Sequence, residues 1–278
     1  MNMPRIVAHC LIRNEERFIW YSLNSVLPYV DQIMVWDTSS TDGTTDIVKS
    51  IKSTKIKFKQ VGPVDANTFT QIRNQMLNET PPDTHWLMVL DGDEIWPEKS
   101  VKKATDFVRI HPELESIVVR TNNLVGDIYH RSPDSAGKYH LAGQVGHLNL
   151  RFINLKKIKG LHLEKPHGQQ GYFDDMGILI QDRDGVYFLD VSYSHATHLQ
   201  RSSNKQNDLA VIKRAKKYKI ELGVKIPKSD VPEVFFKKHP QNVPNVTKKA
   251  SLWYCLAASI LVIPRFLKQK LLPIHHGY

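Results

Sequence analysis

An α/β fold on a doubly wound, mostly parallel sheet flanked by helices, carrying a helical basic C-terminal appendage, is predicted by three features of this 278-residue chain. Apolar runs recur at residues 5–12, 32–36, 55–61 and 86–90, with segments of helical spacing between them, so strands and helices alternate over the first hundred residues. Most of the runs are near-continuous in apolar residues, as in a sheet covered on both faces. Charge then divides the chain: residues 1–200 hold 22 Lys+Arg against 24 Asp+Glu, and residues 201–278 hold 16 against 4. The net of −2 in the body and +12 in the tail sums to the whole-chain +10. Such a tail points to an anionic surface, either nucleic acid or lipid.

The first strand, residues 5–12, contains Cys10, read as a buried thiol. Arg13-Asn14-Glu15-Glu16 follows, and Phe18, Ile19, Tyr21, Leu23, Val26 and Leu27 then recur at helical spacing until Pro28. A second strand over 32–36 ends at Asp37, and the loop at 38–43 supplies N-caps for a helix through Thr45, Ile47, Val48 and Ile51. After a more exposed strand at 55–61, a helix from about Thr68 carries Ile72, Arg73, Met76 and Leu77.

Trp86–Leu90 runs into Asp91-Gly92-Asp93-Glu94. Ligands of open α/β sheets sit beyond the carboxyl ends of strands, which places these carboxylates in the binding crevice. Asp91 and Asp93, around Gly92, can turn toward one hard cation such as Mg2+ or Mn2+. Asp-Gly is also ordinary turn chemistry.

Further on, strands are expected at 116–120, 148–155 and 187–193, with residues 121–147 an irregular insertion of the kind that forms lids or disordered loops. Leu161 and Leu163 alternate with His162 and Glu164, which puts the polar pair on the opposite face. A helix is expected from Ser202 through Leu209, Ile212, Ala215 and Tyr218, after which four prolines interrupt regular structure. The apolar run at 252–263 is too short to span a bilayer. It reads either as a helix docked on the protein or a second subunit, or as an interfacial helix flanked by basic residues. Two distant cysteines form no disulfide framework, and the N-terminus has no signal-peptide apolar region, so a cytoplasmic setting, peripheral at the inner face of a membrane, is expected. There is no Cys/His zinc pattern and no Gly-rich phosphate loop.

Four blocks in order, residues 11–16 (LIRNEE), 31–44 (DQIMVWDTSSTDGT), Arg73-Asn74 and 86–94 (WLMVLDGDE), resemble the family-2 glycosyltransferases with the GT-A fold. The resemblance implies a catalytic domain over 1–200, with a nucleotide-sugar half at 1–98 and an acceptor half at 99–200, followed by the extension at 201–278. It implies transfer of a sugar, with inversion, from a UDP- or GDP-sugar to a glycan, lipid-linked or small-molecule acceptor, assisted by Mn2+ or Mg2+. Asp37 is placed on the base or ribose, Arg13 in the nucleotide pocket and Arg73 at the diphosphate, where its fork of donors suits the oxygens. Asp91 and Asp93 take the D-x-D positions, with Asp93 the more direct metal ligand. His195 or His198, after the last core strand, supplies a further metal or diphosphate ligand. Glu164 is the first choice of general base, with Asp174 and Asp175 in reserve. A sugar-phosphate nucleotidyltransferase would want a basic, Gly-rich loop where Arg13-Asn14-Glu15-Glu16 stands. A non-enzymatic nucleic-acid binder would leave Asp91–Glu94 unexplained, and the tail lacks the aromatic interleaving of single-strand binders. Association of the protein with a second copy of itself is a further expectation.

Overall fold

The computed structural model describes residues 3–166 and 168–261, with the backbone of His275–His276. Strands β1 (Ile6–Ile12), β2 (Gln32–Asp37), β3 (Ile56–Gln60) and β4 (Trp86–Leu90) alternate with helices α1 (Ile19–Val26), α2 (Thr44–Ser50) and α3 (Thr68–Asn78). Then come β5 (Glu94–Ile95), α4 (Glu98–Ile110) and β6 (Ser116–Asn123). The eight-stranded sheet runs β3-β2-β1-β4, then the Leu148–Asn154 strand, β6, the Val186–His195 strand and β5. The β3-β2-β1-β4 block is wholly parallel. The Leu148–Asn154 strand enters antiparallel between β4 and β6, and β5 closes the far edge antiparallel to the Val186–His195 strand. The sheet is therefore mostly parallel, as expected.

Burial on both faces explains the apolar runs. Ile6, Ala8, Cys10 and Ile12 of β1 face a core that includes α1 and α4, whereas Val7 and Leu11 pack with Met34, Trp36 and Met76 under α3. Alternation thus survives in space although both faces are hydrophobic. Cys10 is buried and free, as read from its strand.

Two expectations change. The helix expected over 202–218 is broken into α5 (Lys205–Leu209) and a 3-10 turn at Arg214–Lys217. Lys213 takes a left-handed conformation, φ 59°, between them. This turn sends Arg214 inward to Glu15, Asp208 and the carbonyls of Arg13 and Asn14. Satisfying that buried guanidinium outweighs the helical periodicity of the sequence. Beyond α5, α6 (Leu252–Ile260) is the one further α-helix among the described residues, so the basic extension is mostly turns and loops. Its Val231, Val234, Phe235, Val243 and Val246 enter the main core. Of the 252–263 run, residues 262–263 lie outside the described residues.

The insertion at 121–147 is ordered by short strands at His130–Arg131, Tyr139–Leu141 and Gln144–Gly146, and it buries Leu124, Val125 and Ile128.

Candidate active site

A cavity of about 710 Å³ opens over the carboxyl ends of β1 and β4 and is walled on the other side by residues from 121 onward. Its floor is a dense set of buried charges. Register creates part of it: in the pairing of β5 with the Val186–His195 strand, Glu94 stands opposite His195. Asp91, Glu94 and His195 each offer a ligand atom, all within 4.8 Å of one another.

Arginines hold these acids in place. Arg151 pairs with Glu94 and reaches Asp91 at 3.7 Å. It sits at a bulge, where the ladder to β6 shifts between Leu150 and Phe152. Bulges re-aim a side chain. Its Nε donates to the Tyr193 hydroxyl at 3.1 Å, and its guanidinium lies 5.3 Å from that ring centre. Arg73, on α3, meets Asp91 at 3.3 Å, and its Nη1 is buried without a partner. Asp93 is 1% exposed and turns away toward Arg201 at 2.9 Å and His195 at 3.3 Å. Arg201 also reaches Glu15 at 3.2 Å, and Glu15 in turn pairs with Arg214.

Burial and charge set the protonation of this floor. Burial pushes the Glu94 and Glu15 carboxyls up to about 7, against the pull of Arg151 on the first and of Arg201 and Arg214 on the second. Burial also opposes ionisation of Asp91, yet Arg151 and Arg73 bring it below the usual range. Asp93 is held lower still, since Arg201 and His195 together outweigh its burial. Two carboxylates are thus firmly ionised and two titrate near neutrality.

Gly92 makes the turn possible. A Cβ there would lie 2.9 Å from Glu15 Cγ and 3.0 Å from Ile12 Cγ2, so the Asp91–Glu94 turn packs directly on the β1 exit.

Of the residues singled out from sequence, Arg13, Arg73, Asp91, Asp93 and His195 come together on the cavity wall, with His198 beside them. Asp37 ends β2 as expected but is fully buried, with the Ser40 amide and hydroxyl donating to its two oxygens. Thr38 forms the wall next to it. Glu164, Asp174 and Asp175 are not on the wall. Glu164 pairs with His162 at 3.0 Å on the half-exposed face of the His162–Glu164 strand, while Leu163 points inward. Asp174 accepts from the Met176 and Ile178 amides and pairs with Arg183, and Asp175 lies 3.6 Å from Lys159. Their turn and ion-pair duties explain these acids.

Sequence reasoning does not single out Glu15, Glu94, Arg151, Arg201 or Arg214. Glu15 and Glu94 stood inside the quoted motifs. The arginines had no local signal, since Arg201 and Arg214 meet Glu15 across 186 and 199 residues.

The family model for glycosyl transferase family 2 matches residues 11–171, more than half of the chain and the stretch that contains Glu15, Arg73, Asp91, Asp93, Glu94 and Arg151 of this floor. The chain belongs to glycosyl transferase family 2. This family-2 chain is 28% identical over 108 residues to the SPbeta prophage-derived glycosyltransferase SunS of Bacillus subtilis (strain 168), which covers 38% of the chain and 24% of that protein. The phage SPbeta glycosyltransferase SunS matches to the same extent. The chain thus spans about a quarter of the length of these curated relatives. Among solved structures it is similar to S. aureus TarS 1–349, at TM-score 0.47 and 16% identity over 77% of this chain and 68% of that one. Glucosyl-3-phosphoglycerate synthase from Mycobacterium tuberculosis, in complex with Mn2+, UDP and glucosyl-3-phosphoglycerate, is similar at TM-score 0.44 and 14% identity, over 69% of this chain and 72% of that one.

Proposed function

We propose that this glycosyltransferase moves a sugar, with inversion, from a UDP- or GDP-linked donor to an acceptor hydroxyl in a metal-dependent reaction. The observation that carries the metal is the convergence of Asp91, Glu94 and His195 within 4.8 Å at the cavity floor. The two carboxylates suit Mn2+ or Mg2+, the imidazole favours Mn2+ over the harder Mg2+, and Glu94, fully buried, is the kind of acid a cation would hold ionised. When bound, the cation would neutralise charge that develops on the departing diphosphate. The chain's own residues do the rest. Arg73 presents a buried, unpartnered Nη1 to the diphosphate and stabilises its charge, while Arg13 lines the nucleotide end. Arg151 and Arg201 keep Glu94 and Asp93 oriented. Asp93 acts here through Arg201 and His195, one step back from the cation, or exchanges that pair for the cation itself. Asp37 remains the proposed nucleoside-side carboxylate, provided that it releases Ser40. The general base is proposed to be Glu164, with Asp174 and Asp175 behind it; each would have to leave its present partner, because Leu163, Gly171 and Tyr172 line the cavity while these acids do not.

Thermal unfolding with UDP- and GDP-sugars, with and without Mn2+, tests the reading. One donor should raise the Tm only when Mn2+ is present, and be hydrolysed slowly. Absence of stabilisation or hydrolysis by any nucleotide-sugar overturns it.

A second proposal concerns the tail. No helix among the described residues is long and apolar enough to cross a membrane. Yet α6 turns Leu252 (75%), Trp253 (81%) and Ile260 (78%) outward, while Tyr254 and Ala258 anchor it. The Tyr254 ring covers Gly126, and its hydroxyl meets the Glu221 amide at 3.2 Å. On the segment beneath, Ile220, Leu222 and Val224 are also exposed, and Lys248 and Lys249 precede the helix. We infer reversible docking of this apolar, lysine-bordered face on an anionic lipid surface, at the inner face of a membrane in a cytoplasmic setting. A second copy of the chain is the competing occupant.

A further inference from the structure

Two buried donors stand on the cavity wall without an acceptor. One is Arg73 Nη1 on α3, and the other is the hydroxyl of Tyr172, in the Gly171–Phe173 strand. They are neighbours: Arg73 acts on the Tyr172 hydroxyl by charge and as a nearby donor, short of a hydrogen bond of proper geometry. Asp91, the acceptor beside them, is already held by Arg73 Nη2 at 3.3 Å and by Arg151 at 3.7 Å. Buried polar groups are nearly always satisfied, so two adjacent donors on a cavity wall fit a ligand rich in acceptor oxygens.

The chain fixes the pair from both sides. Tyr172 stands opposite Leu163 in the hairpin formed by the His162–Glu164 and Gly171–Phe173 strands. Asn74, next to Arg73, accepts from the Leu163 amide at 2.7 Å and donates to the Leu163 carbonyl at 2.9 Å. Thr70, on the same helix, donates to the Lys165 carbonyl. The Arg73-Asn74 block thus serves two ends: one side chain enters the cavity, and the next docks the strand that faces Tyr172. Donors held in advance need no reorganisation when charge develops near them.

The chemistry of the pair selects the ligand. Burial pushes the Tyr172 hydroxyl up from its ordinary value; Arg73, Asp91 and Arg151 act on it too, the arginines in the opposite sense. The group is therefore an intact O–H at neutral pH. With a guanidinium beside its oxygen, its proton is the part left to offer. A hydroxyl and a guanidinium side by side match two oxygens of one phosphate, whereas sugar hydroxyls would also need an acceptor there.

We propose that Tyr172 is a catalytic residue of this site, donating its O–H to a non-bridging oxygen of the donor's diphosphate beside the oxygen bound by Arg73 Nη1. The inference rests on the glycosyl transfer proposed above and adds a residue to that reaction. As the bond from the sugar's anomeric carbon to the diphosphate breaks, its electron pair stays on the diphosphate. The acceptor oxygen bonds to that carbon and gives its proton to the general base. Tyr172 keeps its own proton and stabilises the charge left behind.

Calorimetric titration of the full chain with UDP, UMP, GDP and GMP, each with Mn2+, tests this on wild type and Tyr172→Phe. The wild type should bind one diphosphate more tightly than its monophosphate. In Tyr172→Phe that advantage should shrink about tenfold, with monophosphate binding unchanged, and hydrolysis of the matching nucleotide-sugar should slow about a hundredfold. Because the hydroxyl has no partner within the protein, the variant's Tm should equal or exceed that of the wild type. A lower Tm overturns the inference, since the hydroxyl then serves the fold. An undiminished diphosphate advantage overturns it alone, even if turnover falls, because the hydroxyl then meets the sugar or the acceptor. If the wild type binds no nucleotide, the glycosyl-transfer reading falls and takes this inference with it.

Discussion

At the scale of single residues, Asp93 has the most at stake. It is buried at the meeting point of Arg201 and His195, so its charge is structural as well as part of the proposed machinery. Removing one partner of a buried ion pair leaves the other uncompensated, at a cost of roughly 3–5 kcal/mol. Glu15 also meets Arg201 and will offset part of this. Asp93→Asn is therefore expected to lower the Tm and to reduce transfer at least a hundredfold. Paired unfolding curves and steady-state rates check both, and near-normal turnover at saturating Mn2+ would remove Asp93 from the machinery.

Among the elements, β1 shows how a strand can be made pH-sensitive by one residue. His9 is 1% exposed inside it, with Nε2 2.8 Å from the Thr80 hydroxyl. Burial, with Arg73 nearby, pushes its pKa down from 6.5 to about 3. A histidine depressed in the folded state contributes stability that is fully present above 6.5 and lost as pH falls toward 3. Between pH 6.5 and 4.5 that loss is about 2–3 kcal/mol. In His9→Gln, which keeps a polar group toward Thr80, the difference in unfolding free energy between pH 7 and 4.5 should shrink by this amount. Urea titrations at the two pH values measure it, and an unchanged difference would mean that His9 is not the titrating group.

For the whole molecule, the uneven charge and the exposed face of α6 lead to one expectation. The full chain should sediment with vesicles rich in anionic lipid, less so as salt rises, and not with neutral ones. Trp253→Glu/Ile260→Glu, at two outward positions, should abolish the association. If the full chain stays in the supernatant at low salt while running as a dimer that the same variant dissociates, the face is an interface between copies.

The sequence alone determined the parallel core and the motif set that marks the family. Those signals are local: an apolar run, a turn residue and a carboxylate lie within ten positions of one another at Trp86–Glu94. It also names Arg13, Arg73, Asp91, Asp93 and His195, which the fold brings to the wall of one cavity. Only the tertiary structure decided the rest. Pairing of β5 with the Val186–His195 strand set Glu94 against His195, a bulge aimed Arg151, and the left-handed Lys213 turned Arg214 inward. Each of these depends on contacts between residues tens to hundreds of positions apart, where the free energy lies in neutralising buried charge. No periodicity in the chain encodes that requirement, because an arginine that will be buried against a carboxylate reads in sequence like one that faces water.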